Sequence, residues 1–267
     1  MKPNGATIKT ISLLGSGWLG LPLAEHLIAS GYSVNASTRS KDRLPQLSAI
    51  KAKPFIIDIE EELPSNTQAF LNVDILIVNI PSKNIDAFAE LIQTIEQSPV
   101  KKVLFVSSTS VYKNNNKIIR ESDGEESSQS PLLAIENLFR HSRQFTTTVV
   151  RFSGLIGYNR HPGRFFSNGK AVSNPDTGVN LVHRDDCIGI IDQIIAQGAW
   201  GDVFNGCADT HPSKRAFYTQ AAIAAGQPVP VFSDADNQSF KIVSNEKVKR
   251  VLNYKFLHPD VMKISFE

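Results

Sequence analysis

The feature that most constrains this chain is a glycine-rich turn set between a short apolar run and a helical stripe. Gly15-Ser16-Gly17-Trp18-Leu19-Gly20 follows Thr10 to Leu14. Leu19, Leu23 and Leu27 with Ala24 and Ile28 then recur at helical spacing, and Gly31 stands where a left-handed stop belongs. In that context a GxGxxG turn lets the backbone approach a pyrophosphate while the helix N-terminus offers amide donors and the positive end of its dipole. Glycine turns elsewhere merely join elements. Here the strand before and the amphipathic helix after point to a dinucleotide site made from Gly15, Ser16, Gly17, Trp18, Leu19 and Gly20.

The rest of the first half repeats that alternation. Short β-rich runs are predicted at Thr10 to Leu14, Ser33 to Ser37, Pro54 to Ile57, Asp74 to Asn79, Lys102 to Ser107 and Thr147 to Phe152, and Ile85, Phe88, Ile92 and Ile95 form a second helical stripe. Strands alternating with helices predict an α/β fold, a Rossmann-type doubly wound parallel sheet with a smaller C-terminal substrate lobe. Residues 1–267 read as a single dinucleotide-binding domain, the lobe formed mainly by about 158–182 and 205–267, with helices over Asp185 to Ala196, Ser213 to Ala225 and Asn245 to Leu252. Lys113 to Ser130, polar, acidic and bearing an Asn run, reads as a surface loop.

Composition narrows the class of partner. With 41% hydrophobic residues the chain can bury a large core, and 28 basic against 26 acidic residues leave a formal charge of +2 with no basic stripe, so nucleic acid is not expected. Cys187 and Cys207 lie too far apart for a CxxC spacing and read as core thiols in a reducing compartment. The polar start, Met1 to Thr7, and the shortness of the apolar run after it predict neither a signal segment nor a membrane span. A cytoplasmic protein acting on a small molecule is the expectation.

The choice of cofactor is read about 20 residues beyond the turn, where a carboxylate would hold a ribose 2′-hydroxyl and repel a 2′-phosphate. That place holds Thr38-Arg39-Ser40, a guanidinium with two hydroxyls, and no acid precedes Asp42. The donor set suits NADP, with NAD the alternative if Arg39 is an ordinary solvated arginine.

Further motifs then come in a recognisable order: Val106-Ser107-Ser108-Thr109-Ser110-Val111-Tyr112, Arg151 to Gly157, Asn180-Leu181-Val182-His183-Arg184-Asp185-Asp186 and Val203-Phe204-Asn205. Together they resemble the short-chain dehydrogenase/reductase superfamily in its extended, NAD(P)-dependent epimerase/dehydratase-like branch. Arg160 to Phe166, with the glycine turn, is similar to an atypical bacterial subgroup, the YeeZ-like proteins. The resemblance implies that Asp58 faces the adenine, that Asn79, Ile80 and Pro81 line the dinucleotide, that Ser107 and Phe152 contact the cofactor, with Ser153 near its nicotinamide, and that Ser108 stands at the catalytic serine.

The same resemblance exposes a departure, because the family's catalytic tyrosine and the lysine four residues later are missing. The five tyrosines, Tyr32, Tyr112, Tyr158, Tyr218 and Tyr254, are followed at that offset by Ala36, Asn116, Pro162, Ala222 and His258. After Ser130-Pro131 the family register puts Leu132 at the tyrosine and Glu136 at the lysine. A phenol with its ordinary pKa of about 10 is a poor base at neutral pH. Ser108 and Tyr112 therefore stand as the catalytic candidates, with packing as the other reading of Tyr112. Thr109 orients a substrate oxygen or bonds backbone at the sheet edge. Arg160, His161 and Arg164, in a loop beyond the sixth strand, suit a phosphate or carboxylate substrate or form a solvated loop. His183 joins the substrate candidates, while Asp185 and Asp186 read as a helix cap rather than metal ligands, and no metal is expected. Two functions remain open: an oxidoreductase or epimerase-like enzyme, and a non-catalytic NADP-binding redox sensor.

Overall fold

A computed structural model describes residues 9–233 and 239–266, so the polar start Met1 to Thr7 lies outside the described residues. In chain order the elements are β1 (Thr10–Leu14), α1 (Gly20–Ala29), β2 (Ser33–Thr38), α2 (Leu44–Ala49), β3 (Lys53–Ile56), α3 (Thr67–Phe70), β4 (Ile75–Val78), α4 (Ile85–Glu96), β5 (Lys102–Ser108), β6 (Lys117–Ile119), α5 (Pro131–His141), β7 (Thr146–Phe152), β8 (Gly154–Ile156), β9 (Val172–Ser173), β10 (Leu181–His183), α6 (Arg184–Gln197), β11 (Val203–Gly206), α7 (Lys214–Ala224), β12 (Phe232–Ser233), β13 (Lys241–Val243) and α8 (Glu246–Leu252). The main sheet has seven strands in the order β11-β7-β5-β4-β1-β2-β3, and the pairs β1 with β2, β1 with β4, β2 with β3 and β4 with β5 are parallel. The order reverses direction at β1 and β4, the topological switch point of a doubly wound sheet, where ligands bind beyond the strand carboxyl ends. Among the described residues no helix is long and apolar enough to cross a membrane.

Two compact units make up the chain: residues 1–107, 128–150 and 191–203, and residues 108–127, 151–190 and 204–267. In the first, α4 begins where Asn84 accepts from the Ala87 N–H at 3.2 Å, and its buried face is Ala87, Phe88, Leu91, Ile92 and Ile95. Helix α5 begins where Ser130 accepts from the Leu133 N–H, with Pro131 in its first turn, and turns Ile135, Glu136 and Phe139 inward. Phe139 lies at the centre of an aromatic cluster, its ring 4.9 Å from Phe105, 5.8 Å from Phe88 and 6.5 Å from Phe145.

The second unit corrects two sequence expectations. Lys113 to Ser130 is more than a loop, because Lys117–Ile119 forms β6, parallel to β13, and Ile119 is fully buried. The partner strand lies far along the chain, out of reach of any local pattern. Asp185 and Asp186 stand in the first turn of α6 and do not cap it from outside; the Asp185 N–H donates to His183 Nδ1 at 3.3 Å. Asp186 instead accepts from Tyr254 Oη at 3.0 Å and from the Leu257 and His258 N–H groups at 2.7 and 3.0 Å, fastening the C-terminal segment. That bond set brings the His258 ring within 3.9 Å of His183, centroid to centroid.

Truncating Phe139→Ala should cost about 3–5 kcal/mol of unfolding free energy, read as a lowered urea midpoint with an unchanged slope; a change under about 1 kcal/mol would contradict the cluster's role. His183 is held at about 4, below the ordinary 6.5, first by burial and then by His258 and Arg184, with Asp185 opposing. The unfolded chain takes this proton near 6.5 and the folded chain only near 4, so stability should fall as pH drops through that window. Urea midpoints at a series of pH values should show that decline, and His183→Gln should flatten it.

Candidate functional site

The glycine turn is built by close approach. Gly15 has φ +99°, and a Cβ there would lie 2.3 Å from the Asn79 carbonyl oxygen; one at Gly20 would lie 2.1 Å from the Gly15 oxygen. Neither place admits a side chain. The turn is pinned on three sides: Gly15 N–H donates to Ser37 Oγ at 3.0 Å, Asn79 Nδ2 to the Gly15 carbonyl at 3.0 Å, and Arg43 Nη2 to the Ser16 carbonyl at 2.7 Å. Gly17 is different, since a Cβ there would meet nothing within 4 Å. The protein's own packing does not require glycine at that position. Among the described residues the buried Ser16 hydroxyl beside it has no hydrogen-bond partner, and α1, with Leu19 at its N-cap position, has no side-chain cap. Open space over Gly17, an orphaned hydroxyl and an uncapped helix pole together fit the pyrophosphate of a dinucleotide.

This turn borders a cavity of about 500 Å³, within the range of small-ligand sites. Of the expected cofactor residues, Gly15, Ser16, Gly17, Thr38, Arg39, Ser40, Asp58, Asn79, Ile80 and Pro81 line it. Arg39 is largely exposed and stands 3.8 Å from Asp58, and Thr38 Oγ1 accepts from the Ser40 N–H at 3.2 Å. Sequence reasoning missed Arg43, which lines the same cavity from a 3-10 turn at Lys41–Arg43. Its spacing of four from Arg39 was the available signal. Glu60 was missed too; hydrogen bonds from Ser82 and Asn84 hold its carboxyl below the ordinary range.

The other expected cofactor residues are placed elsewhere. Trp18 is not among the lining residues, Leu19 is packed in the core and Gly20 opens α1. Ser107 is buried and donates its hydroxyl to the fully buried Glu136, the residue expected at the family's lysine from the sequence register. Phe152 is buried, its ring filling the space a Cβ on Gly206 would take.

The second unit holds a cavity of its own, about 430 Å³, and Ser108, Thr109 and Arg160 line it. Ser108 Oγ accepts from the Ser110 N–H at 3.1 Å, which leaves its own O–H for another oxygen. Thr109 Oγ1 stands 3.5 Å from Ser153 Oγ, and Arg160 Nε donates to the Leu155 carbonyl at 2.8 Å. Tyr112, by contrast, is a buried anchor and does not line the cavity. Its hydroxyl donates to Asn205 at 2.9 Å, the Arg151 guanidinium lies over its ring at 4.8 Å, and burial pushes its pKa up to about 12. Arg151, itself fully buried, is neutralised by Glu126 at 2.5 Å.

His161, Arg164 and His183 also lie away from that lining. His161 is buried against Phe266 at 4.5 Å and takes the Gly163 N–H on Nδ1, while Arg164 ends a short 3-10 turn. His183, Asp185 and His258 gather their ligand-type atoms within 4.8 Å of one another, and His258 was invisible as a neighbour from sequence. Cys187 and Cys207 are free, buried thiols.

Comparison with known proteins shows the family and the fold. A family model described as NAD(P)H-binding matches residues 15–186. The chain is 29% identical to Protein YeeZ of Escherichia coli K12 across 97% of this chain and 100% of that one. Among solved structures, a conserved protein of Silicibacter pomeroyi superposes with a TM-score of 0.78 at 20% identity over 95% of each chain. UDP-glucuronic acid 4-epimerase of Bacillus cereus, solved with UDP-glucuronic acid and NAD, superposes at 0.75 with 15% identity over 95% of each chain. With a doubly wound parallel sheet and a cradle fitted to a pyrophosphate, this chain belongs to the NAD(P)H-binding family.

Proposed function

We propose that the protein is an NADP-dependent oxidoreductase or epimerase-like enzyme acting on a small or nucleotide-linked substrate, working without the tyrosine and lysine pair of its family. The observation that carries the cofactor half is Gly17: the fold leaves space over it and an unpaired Ser16 hydroxyl beside it. The preference for NADP rests on Arg39 and Ser40 together with Arg43, two guanidinium groups lining one cavity, as a 2′-phosphate requires. When bound, a nicotinamide supplies or accepts a hydride. The chain's part is then to position the reacting oxygen and manage its proton. Ser108 suits the first task, because the Ser110 N–H already fills one acceptor position and leaves its O–H to donate. Tyr112 is poorly suited to the second, with a hydroxyl held by Asn205 and a raised pKa. A bound water is the proton carrier in this reading. Arg160 and Thr109 complete the substrate contacts, and action in the cytoplasm is part of the same proposal.

A non-catalytic NADP-binding sensor is the second reading, favoured by the buried Glu136 at the family's lysine position. The two part on one measurement: turnover of NADPH across a panel of carbonyl and sugar-nucleotide substrates supports the enzyme. Its absence, with partner affinity that changes between NADPH and NADP, supports the sensor.

Gly17→Ala should leave the thermal midpoint unchanged and weaken NADPH binding, because a Cβ there meets no protein atom within 4 Å but enters the cradle. Arg39→Ala should weaken NADPH about tenfold and leave NADH within about twofold, measured by titration; wild-type protein that prefers NADH would overturn the NADP assignment. For catalysis, Ser108→Ala should lower kcat/KM about 100-fold while Tyr112→Phe changes it less than about fivefold. The reverse pattern would remove Ser108 from its role.

A further inference from the structure

Three side chains from separate places in the second unit meet at one point. His183 ends β10, Asp185 lies in the first turn of α6 and His258 comes from the C-terminal segment, yet their ligand-type atoms lie within 4.8 Å of one another. Asp185 Oδ2 stands 3.6 Å from His183 Nδ1 and 3.7 Å from His258 Nε2. Ligands about 2.0–2.2 Å from a zinc ion lie about 3.3–3.6 Å apart at tetrahedral angles, so both separations need only a small inward movement. One histidine beside two acids was too few for a metal on sequence; the fold adds the second imidazole.

The surroundings hold each ligand in a usable state. A Cβ on Gly157 would lie 2.5 Å from His183 Nε2, so backbone closes off that nitrogen and Nδ1 is the one turned to the cluster. Nδ1 accepts the Asp185 N–H at 3.3 Å, which places the ring proton on Nε2, the tautomer that ligation through Nδ1 requires. The Tyr158 hydroxyl lies 3.1 and 2.9 Å from the two Asp185 oxygens, and the Arg184 guanidinium covers the Tyr158 ring at 3.8 Å, an outer support of the kind ligating carboxylates have. Asp186 accepts the His258 backbone N–H at 3.0 Å and so fixes that segment without using the imidazole. His183 is buried, while Asp185 and His258 are each 32% exposed, which gives an ion a path from solvent.

We propose that His183, Asp185 and His258 form a binding site for a divalent transition metal, Zn²⁺ in the first instance, which ties the C-terminal segment to the junction of β10 and α6. Two imidazoles and a carboxylate suit Zn²⁺ and its first-row neighbours, whereas Mg²⁺ and Ca²⁺ take oxygen ligands. The site is a structural clamp and uses no residue that lines either cavity, so it stands whether or not the cofactor and substrate readings do.

The test is titration of Zn²⁺, and of Co²⁺ as a visible-absorption probe, into chelator-treated full-length protein. Wild type should bind one ion per chain with a Kd of about 1 μM or tighter, and excess Mg²⁺ should not compete. His258→Gln keeps the backbone N–H that Asp186 holds, and Asp185→Asn keeps an acceptor for Tyr158. Each should weaken Zn²⁺ at least about 100-fold and remove the rise in thermal midpoint that Zn²⁺ gives wild type, while Tyr158→Phe should weaken it about tenfold. Amide exchange at Leu257 and His258 should slow with Zn²⁺ in wild type and not in His258→Gln. If the buried His183→Gln does not fold, these two ligand variants decide. Wild type that takes up neither ion, or ligand variants that bind as tightly as wild type, would overturn the inference. So would Zn²⁺ that binds through these residues and leaves exchange at Leu257 and His258 unchanged.

Discussion

The approach of Gly15 to Asn79 is the contact on which the dinucleotide cradle depends. It closes β1 against β4 at the switch point of the sheet, where a Cβ would stand 2.3 Å from a carbonyl oxygen. Ser37 from β2, Asn79 after β4 and Arg43 beyond β2 then hold the turn through its own backbone groups. Because these bonds engage the carbonyls and the Gly15 amide, the shape of the turn is set without a ligand. What the turn leaves open, the space over Gly17 and the unpaired Ser16 hydroxyl, is what a pyrophosphate would fill. Preorganisation of this kind removes much of the ordering cost of binding.

Several buried polar groups are used structurally. Glu136 is fully enclosed and takes the Ser107 hydroxyl, a buried acceptor inside α5. In the second unit, Tyr112, Arg151, Glu126 and Asn205 satisfy one another in the core. A phenol in that setting is raised away from neutral pH and is held by its neighbours. Burial has made these groups structural, while Ser108, at the end of β5, keeps a hydroxyl facing a cavity.

Charge separates the two cavities as well. The first carries acids as well as arginines, with Asp58 3.8 Å from Arg39 and Glu60 on the same lining. Among its described lining residues the second carries Arg160, Lys214 and Lys241 and no acid.

Much of the fold was written in the sequence. The strands from Thr10 to Phe152 and the stripes of α1 and α4 are local patterns of period 2 and 3.6, which depend only on which neighbours can share a face. The turn and the cluster of Thr38, Arg39 and Ser40 were legible for the same reason, since a strand, its turn and the next strand are consecutive. Three placements were decided only by tertiary structure. Arg43 reaches back to Ser16, β6 finds β13, and His258 comes to rest on His183 because Asp186 fastens the C-terminal segment. Each joins residues distant in sequence through a hydrogen bond or a packed ring, and no window along the chain contains both partners. The fate of the polar candidates was decided in the same way: Tyr112 and Ser108 sit four residues apart in one motif, yet one is enclosed by Arg151 and Asn205 and the other borders a cavity. Local sequence fixed the backbone path through that motif, and burial by distant residues determined which hydroxyl remains available for chemistry.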